Sequence, residues 1–328
     1  MGYNKNNFKR IREEYETKAF RAEEEADARR EEVYAALPEL RELDGRLSQF
    51  GLRIMKAALS GENTEERVAA LREENERIRL LRARLLEKNG FPTDYCDPHY
   101  ACEQCKDTGY CGIKMCSCMR RSLIAAGMES SGLSALMEQQ SFENFSLKYY
   151  GGNAEELRRM TDTLARLRSY ANEFAIETDK PMPRSWLFLG GTGLGKTHLS
   201  TAIAKVVIER GYDVYYNSAV GMISDFESKR FGNGMAVTGS DDTARYIDCD
   251  LLIIDDLGTE VVNQFTVSCL YYVINTRLNL RRPMIISTNL LPAELRKVYS
   301  DRIFSRLTGE FQIAPFYGTD IRKQRLNG

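Results

Sequence analysis

The chain has 328 residues, room for two or three domains, with 46 lysines and arginines against 47 aspartates and glutamates and a formal net charge of −1. That balance excludes a global basic field that would draw in nucleic acid, so any contact with DNA must come from a local patch. No run approaches the ~20 apolar residues a membrane helix needs, and the start, MGYNKNNFKRIREEYE, has no apolar signal core, so a soluble, cytoplasmic protein with no membrane partner is expected.

Residues 1–90 hold 19 basic and 19 acidic side chains, far denser than the rest of the chain. Apolar positions recur at helical spacing, first Val33, Leu37, Leu40, Leu47, Phe50 and Ile54, then Val68, Leu71, Ile78, Leu81 and Leu85. SGENT between the two series supplies a turn with Thr64 as N-cap, and Pro38 kinks or restarts the first helix. The pattern predicts an antiparallel helical hairpin with one narrow apolar seam. It is either a solvated pair packed on the rest of the chain or a docking module for a partner protein.

Residues 91–120 form a cysteine module, set by the run YCDPHYACEQCKDTGYCGIKMCSCMRR at 95–121. Six of the eight cysteines fall between Cys96 and Cys118. In a reducing compartment such a cluster points to a metal rather than disulfides. Cys102 and Cys105 make C-x-x-C, and Cys116 and Cys118 make C-x-C eleven residues later. Two tight turns bearing four thiolates suit a closed tetrahedral Zn²⁺ site. Cys96, His99 and Cys111 stand in reserve as ligands, with unligated thiols and an iron–sulfur cluster as the other readings.

Residues 121–153 read as a helical stretch and a linker, SFENFSLKYYGG. From 154 to 328 a helical run precedes Pro181 and Pro183. Short apolar strands (WLFL, VYY, LLIID, MIIST) then alternate with amphipathic segments, which predicts an α/β domain with a parallel sheet covered by helices. The stretch GGTGLGKTH, Gly190, Gly191, Thr192, Gly193, Leu194, Gly195, Lys196, Thr197 and His198, lies between a strand and a helix and fits G-x-x-x-x-G-K-[ST]. Its glycines let backbone N–H groups cradle phosphate oxygens, and the helix N-terminus adds partial positive charge. Lys196 is expected to reach the β- and γ-phosphates of ATP, and Thr197 to offer a hydroxyl to Mg²⁺.

LLIIDD at 251–256 is a strand buried on both faces with carboxylates at its C-terminal end. Asp255 is expected to hold the Mg²⁺ shell with Thr197, and Asp256 to orient the attacking water. MIISTN at 284–289 is a third apolar strand, expected between the other two, with Asn289 near the γ-phosphate. DRIFSRL puts Arg302 and Arg306 four apart on one helix face, where a guanidinium could meet a neighbouring copy's γ-phosphate. Ten basic against four acidic residues lie between Arg277 and Gly328, and Lys229, Arg230 and Phe231 form a smaller patch before GNGMAVTGS. Basic groups there could track phosphate while Phe226 or Phe231 stacks on bases.

The P-loop, IIDDLG, INTR (274–277), ISTN, RIFSRL and closing GTDIR (318–322), in this order, resemble the DnaC/DnaI/IstB group of AAA+ ATPases over roughly residues 140–325. The group includes bacterial replicative helicase loaders and transposase-assisting ATPases. The resemblance implies a P-loop AAA+ core with a five-stranded parallel sheet and no C-terminal lid. It implies the roles given above to Lys196, Thr197, Asp255, Asp256 and Asn289, and an arginine finger in RIFSRL, here Arg306 with Arg302 as the alternative. It also implies an ATP-dependent homo-oligomer whose neighbours complete the site, and a single-strand channel between the two nucleotide motifs. Many AAA+ enzymes carry Glu where Asp256 stands, so a slow, partner-stimulated ATPase is expected. Only about twenty residues follow Arg306, so no lid arginine is expected to sense the nucleotide. C-x-x-C-x-D-T-G…C-x-C followed by FENF resembles DnaI-like loaders with an N-terminal zinc-binding helicase-contact domain.

The expected function is therefore an ATP-binding and hydrolysing loader that binds single-stranded DNA and delivers a replicative DNA helicase. An IstB-like ATPase assisting a transposase and a nucleotide-gated DNA-binding scaffold with negligible turnover are the alternatives.

Overall fold

The structure, a computed structural model, describes residues 3–59, 64–176, 185–231 and 242–326, the side chains of Phe231, Asp242, Arg325 and Leu326 excepted. The turn in SGENT before Thr64, Pro181, Pro183, GNGMAVTGS and the side chain of Phe231 lie outside the described residues. The chain divides into two compact units, residues 11–119 and residues 1–10 with 120–328.

The first unit is helical. Helix α1 (Lys5–Ala36) is followed by α2 (Pro38–Leu59) and α3 (Thr64–Lys88). Pro38 opens α2, where its missing N–H costs no helical hydrogen bond. Helices α2 and α3 run antiparallel, tied by Arg46 and Arg53 to Glu74 and by Arg82 to Asp44. The seam holds Val33, Leu40, Phe50, Ile78 and Leu86. On α3 it departs from the expected row: Leu86 is buried, Leu85 only partly, and Leu81 is 47% exposed. Ile78, Arg82 and Leu86 share one face at i, i+4 and i+8, and the Arg82–Asp44 pair faces α2 from within that row. A short hairpin, β1 (Tyr110–Cys111) and β2 (Lys114–Met115), completes the unit.

The second unit contains most of α4 (Ser117–Ser130), then α5 (Ser134–Met137), a 3-10 turn (Leu147–Tyr150) and α6 (Ala154–Glu173). An alternating series follows: β3 (Ser185–Leu189), α7 (Lys196–Glu209), β4 (Val214–Ser218), α8 (Ala219–Phe231), α9 (Asp242–Asp248), β5 (Leu251–Leu257), α10 (Gln264–Asn279), β6 (Met284–Thr288), α11 (Pro292–Val298), α12 (Asp301–Gly309), β7 (Phe311–Pro315) and α13 (Ile321–Leu326). The first residues belong here too, with Asn4 donating to Asp213 and Asn7 to the Ala126 carbonyl.

The sheet is five-stranded and parallel, ordered β4-β5-β6-β3-β7. Alternate residues of each strand serve opposite cores. Trp186, Phe188, Leu251, Ile253 and Ile285 pack with α6 and α7, while Leu187, Leu252, Ile254, Met284 and Ile286 pack with α8, α10 and α12. Both faces are covered, which is why these strands read as unbroken apolar runs. Strand β6 lies between β5 and β3, as its sequence predicted.

Arg277, in the INTR stretch, is wholly buried in α10. Its guanidinium donates to the carbonyls of Tyr246, Ile247, Cys249, Asp250 and Pro283 at 2.8–3.3 Å. Those carbonyls are the loose end of α9 and the entries to β5 and β6, so one side chain closes off a helix terminus and seats two strands. Arg277 is thereby no part of a DNA-facing basic patch, and Arg282, bonded to the Asp248 carbonyl and 3.5 Å from Asp250, is engaged in the same way. Removing the guanidinium strands several buried acceptors. Arg277→Met is expected to cost about 3 kcal/mol or more, read as a lower urea midpoint with unchanged slope, and Arg277→Lys, whose ammonium cannot span five carbonyls, is expected to recover only part of the loss.

Candidate nucleotide site and cysteine cluster

The P-loop leaves β3 and enters α7. Gly190, Gly193 and Gly195 all have positive φ. The glycines at 193 and 195 are also demanded by neighbours. A Cβ at Gly193 would lie 1.9 Å from an Asp320 carboxylate oxygen, and one at Gly195 would lie 2.9 Å from the Phe145 ring. Thr192, Gly193, Leu194, Gly195, Lys196, Thr197 and His198 line a cavity of about 340 Å³. Gly190 and Gly191 stand behind it, offering their carbonyls to the Lys196 ammonium at 2.8 and 2.7 Å. Lys196 also donates to Asn289 Oδ1 at 2.5 Å. Its burial pulls its pKa below the ordinary lysine value, with Asp256 and Asp255 opposing that shift. The sequence-predicted lysine and asparagine, 93 residues apart, are in direct contact.

Asp255 is 2% exposed near the end of β5, and among the described residues no ion pair reaches it. Three hydroxyls hold it instead. Thr197 and Tyr216 donate to Oδ2 at 2.7 and 2.8 Å, and Ser287 donates to Oδ1. The acid expected to share a metal with Thr197 is therefore already against it. Tyr216 and Ser287 were not anticipated from sequence. Ser287 stands two residues before Asn289 in MIISTN, and Tyr216 ends the VYY run on the strand paired with β5.

A regular strand would send Asp255 and Asp256 to opposite faces. Here the β5–β6 ladder slips, with Ile254 opposite Ile286 but Leu257 opposite Thr288. Two residues face one, a β-bulge, and Asp256 takes φ +54° with its amide on Ser287 Oγ at 3.0 Å. Asp256 thus lines the cavity beside Asn289. Its pKa is raised, first by burial and then by the charge of Asp255, while Lys196 and Arg322 pull the other way.

The far wall comes from both ends of the unit. Gln140, Asn144, Phe145 and Tyr149 line it from the linker, with Phe145 edge-on to His198 at 5.3 Å. His198 Nε2 lies 2.8 Å from the Ser141 carbonyl. From the C-terminus, Ile321 N–H donates to the Gly193 carbonyl at 3.0 Å and Arg322 lines the cavity. Arg322 thus meets the cavity without a lid domain, from the short helix α13. A lid domain needs many residues, but a single turn pinned to the P-loop by Asp320 and Ile321 delivers an arginine with six.

Arg302 and Arg306 do not line this cavity. Arg302 is exposed on α12, and the Arg306 guanidinium sits 5.5 Å from the Tyr271 ring centroid and 3.4 Å from its hydroxyl. Lys229 and Arg230 are exposed at the end of α8. With Phe226, Phe265 and Tyr272 they border a second, open cavity, where Arg230 stacks over Phe265 at 5.1 Å and Phe226 lies between Tyr246 and Tyr272.

In the helical unit, Cys102, Cys105, Cys116 and Cys118 bring their sulfurs within 4.8 Å of one another, the one such grouping among the described residues. Sγ–Sγ separations of 3.8 Å (Cys102–Cys116) and 3.5 Å (Cys105–Cys118) are near the about 3.8 Å edge of a tetrahedron with 2.3 Å metal–sulfur bonds. The donor set could hold a metal ion. Asp107 accepts the Ala101 and Cys102 amides at 2.8 and 2.9 Å and shapes the first knuckle. Of the reserve ligands, Cys96 is buried among Val33, Leu40 and Leu86 and His99 is exposed, while Cys111, also exposed, lies beside Cys116 at the edge of the cluster.

No described helix is long and apolar enough to cross a membrane. Residues 133–325, more than half of the chain, match the family described as IstB-like ATP binding protein. The replicative helicase loader DnaC of Escherichia coli (strain K12) is 24% identical over 199 residues, 60% of this chain and 75% of DnaC. The chromosomal replication initiator protein DnaA of Aliarcobacter butzleri (strain RM4018) is 30% identical over 169 residues, 49% of this chain and 37% of DnaA. Among solved structures, the crystal structure of the DnaC helicase loader covers 54% of this chain and 98% of its own at 21% identity, with a TM-score of 0.43. By the family match over most of its second unit, the chain belongs to the IstB-like ATP-binding proteins and carries an IstB/DnaC-type AAA+ domain.

Proposed function

We propose that the chain is a slow ATPase that loads a replicative DNA helicase. The observation that carries the nucleotide reading is the pair of contacts at the cavity floor, Lys196 with Asn289 and Thr197 with Asp255. An ammonium, a hydroxyl and a carboxylate meet where three neighbouring strands end, the place where a triphosphate needs a cation, a metal and a positioned water.

ATP would lie with its phosphates on the P-loop amides and its base toward Phe145 and Tyr149. Lys196 would exchange its loop carbonyls for phosphate oxygens. Thr197 and Asp255 would hold Mg²⁺, a hard cation matched by their oxygens; when bound, the ion neutralises charge building on the phosphates. Ser287 and Tyr216 keep the Asp255 carboxylate in one orientation. Asp256, which lines the cavity beside Asn289, is proposed to orient the attacking water, and Asn289 to hold it near the γ-phosphate. Arg322 faces the phosphates from within the chain. Arg306, with Arg302 as the alternative, is proposed to reach a neighbouring copy's nucleotide in an ATP-dependent oligomer.

Residues 1–90 are proposed as the partner-docking region and the four cysteines of 91–120 as a Zn²⁺ site that fixes their module. That cluster, placed ahead of the ATPase, favours a helicase over a transposase as partner. Single-stranded DNA is proposed to cross the Lys229–Arg230 surface beside Phe226, and the protein to act in the cytoplasm.

Lys196→Ala is expected to weaken ATP binding by about 100-fold and to abolish phosphate release. Tyr216→Phe is expected to leave ATP affinity intact at saturating Mg²⁺ while raising the Mg²⁺ concentration for half-maximal turnover. Parent-like turnover in Lys196→Ala would remove the site assignment. The purified chain is expected to contain about one zinc per molecule, and chelation or Cys102→Ser to melt the cysteine module without loss of ATP binding; a metal-free preparation with the same stability defeats the zinc reading. Co-sedimentation of the full chain with the hexameric replicative helicase of its own organism tests the loader assignment, which fails if the two do not associate with or without ATP.

A further inference from the structure

The turn after the bulge touches two places at once. On one side Asp256 and Thr259 line the nucleotide cavity. The turn is closed by Thr259, whose amide and hydroxyl both donate to the Asp256 carbonyl, at 3.3 and 2.8 Å. On the other side Glu260 turns inward and is 9% exposed. One carboxylate oxygen takes the Gly258 amide at 2.9 Å, and the other takes the hydroxyl of Tyr299, itself 3% exposed. Gly258 has φ +103°, and a Cβ there would lie 2.6 Å from Leu290, the residue after Asn289.

Tyr299 sits at the break between two helices. Its amide ends α11 on the Leu295 carbonyl at 2.9 Å, and Ser300 after it caps α12. Both residues are extended, with ψ of 162° and 151°. The start of α12 is therefore set by where Tyr299 is held, and Glu260 holds it. No ion pair reaches Glu260 among the described residues, so a carboxylate is buried on neutral donors alone. That arrangement is costly compared with an apolar pair of the same volume, which points to a directional link rather than mere filling.

Resting on the nucleotide reading above, we propose that Glu260 and Tyr299 are positioning residues that carry the state of the nucleotide cavity to α12. A shift of the Asp256–Glu260 turn when the cavity fills moves the Glu260 carboxylate. The Tyr299 hydroxyl follows, and α12 re-aims Arg302 and Arg306. The same chain that senses its own nucleotide in this way sets the arginine it offers to a neighbour.

The test uses the full chain, with amide hydrogen exchange of residues 299–309 measured with and without ATP and Mg²⁺, beside fluorescent-ATP affinity and phosphate release. The parent is expected to change its exchange in 299–309 on adding ATP. Tyr299→Phe, which keeps the ring, is expected to bind ATP within about two-fold of the parent, to lose that response, and to turn over about ten-fold more slowly, the scale of a typical coupling. If Tyr299→Phe does not fold, the double variant Glu260→Leu/Tyr299→Phe, which removes both polar partners together, is judged by the same criterion. A parent-like response in the variant, or no response in the parent despite bound ATP, overturns the link. A parent that binds no ATP overturns the nucleotide reading itself, and the affinity measurement shows that separately.

Discussion

The second unit is organised around one buried carboxylate. Asp255 lies near the end of a central strand with almost no access to solvent, and among the described residues no arginine or lysine forms an ion pair with it. Burying such a charge is tolerable only if hydrogen bonds replace its water. The three donors come from three different places: Thr197 from the first turn of α7, Tyr216 from β4 and Ser287 from β6. The P-loop helix, the edge strand and the strand bearing Asn289 are thus all registered on one side chain. A metal shared by Asp255 and Thr197 would take the place of the hydrogen bond between them, with Tyr216 and Ser287 still on the carboxylate.

The bulge beside it solves a geometric problem. The proposed roles in metal binding and water activation would need both carboxylates near one phosphate, while a strand alternates its faces. By setting two residues of β5 against one of β6, the sheet lets consecutive aspartates share a site. The left-handed conformation of Asp256 is the local strain that results, and the Ser287 hydroxyl, bonded to both Asp255 and the Asp256 amide, supports it. One small residue on the neighbouring strand therefore holds both acids.

Arg277 plays a comparable part at the opposite end of the sheet. There the problem is a set of backbone carbonyls that need donors, and a guanidinium with no ion pair among the described residues meets five of them. Planar, multiply donating arginine suits that task where a point-like ammonium does not. Such a residue reads as part of a motif in sequence but acts here through buried hydrogen bonds to the backbone.

Much of the fold was legible from residues 185–289. Apolar runs of four or five residues, punctuated by amphipathic segments, require a parallel sheet with both faces covered. The Gly-Lys-Thr turn between a strand and a helix pointed to a phosphate cradle, and the loop does open onto a cavity. Four thiols in two tight turns likewise announced their own cluster, because local chain geometry brings them together. What sequence could not settle is whatever depends on a second segment far along the chain. The bulge that re-aims Asp256 depends on the pairing register with β6. The hydroxyls on Asp255 depend on which strands flank it. Arg322 reaches the cavity from a turn whose Asp320 and Ile321 lie against Gly193, and on α3 the buried row runs through Leu86 rather than Leu85, in line with Arg82 and its partner Asp44 on α2. Residue spacing along the chain determined which groups could act; contact between distant segments decided which of them face the same atoms.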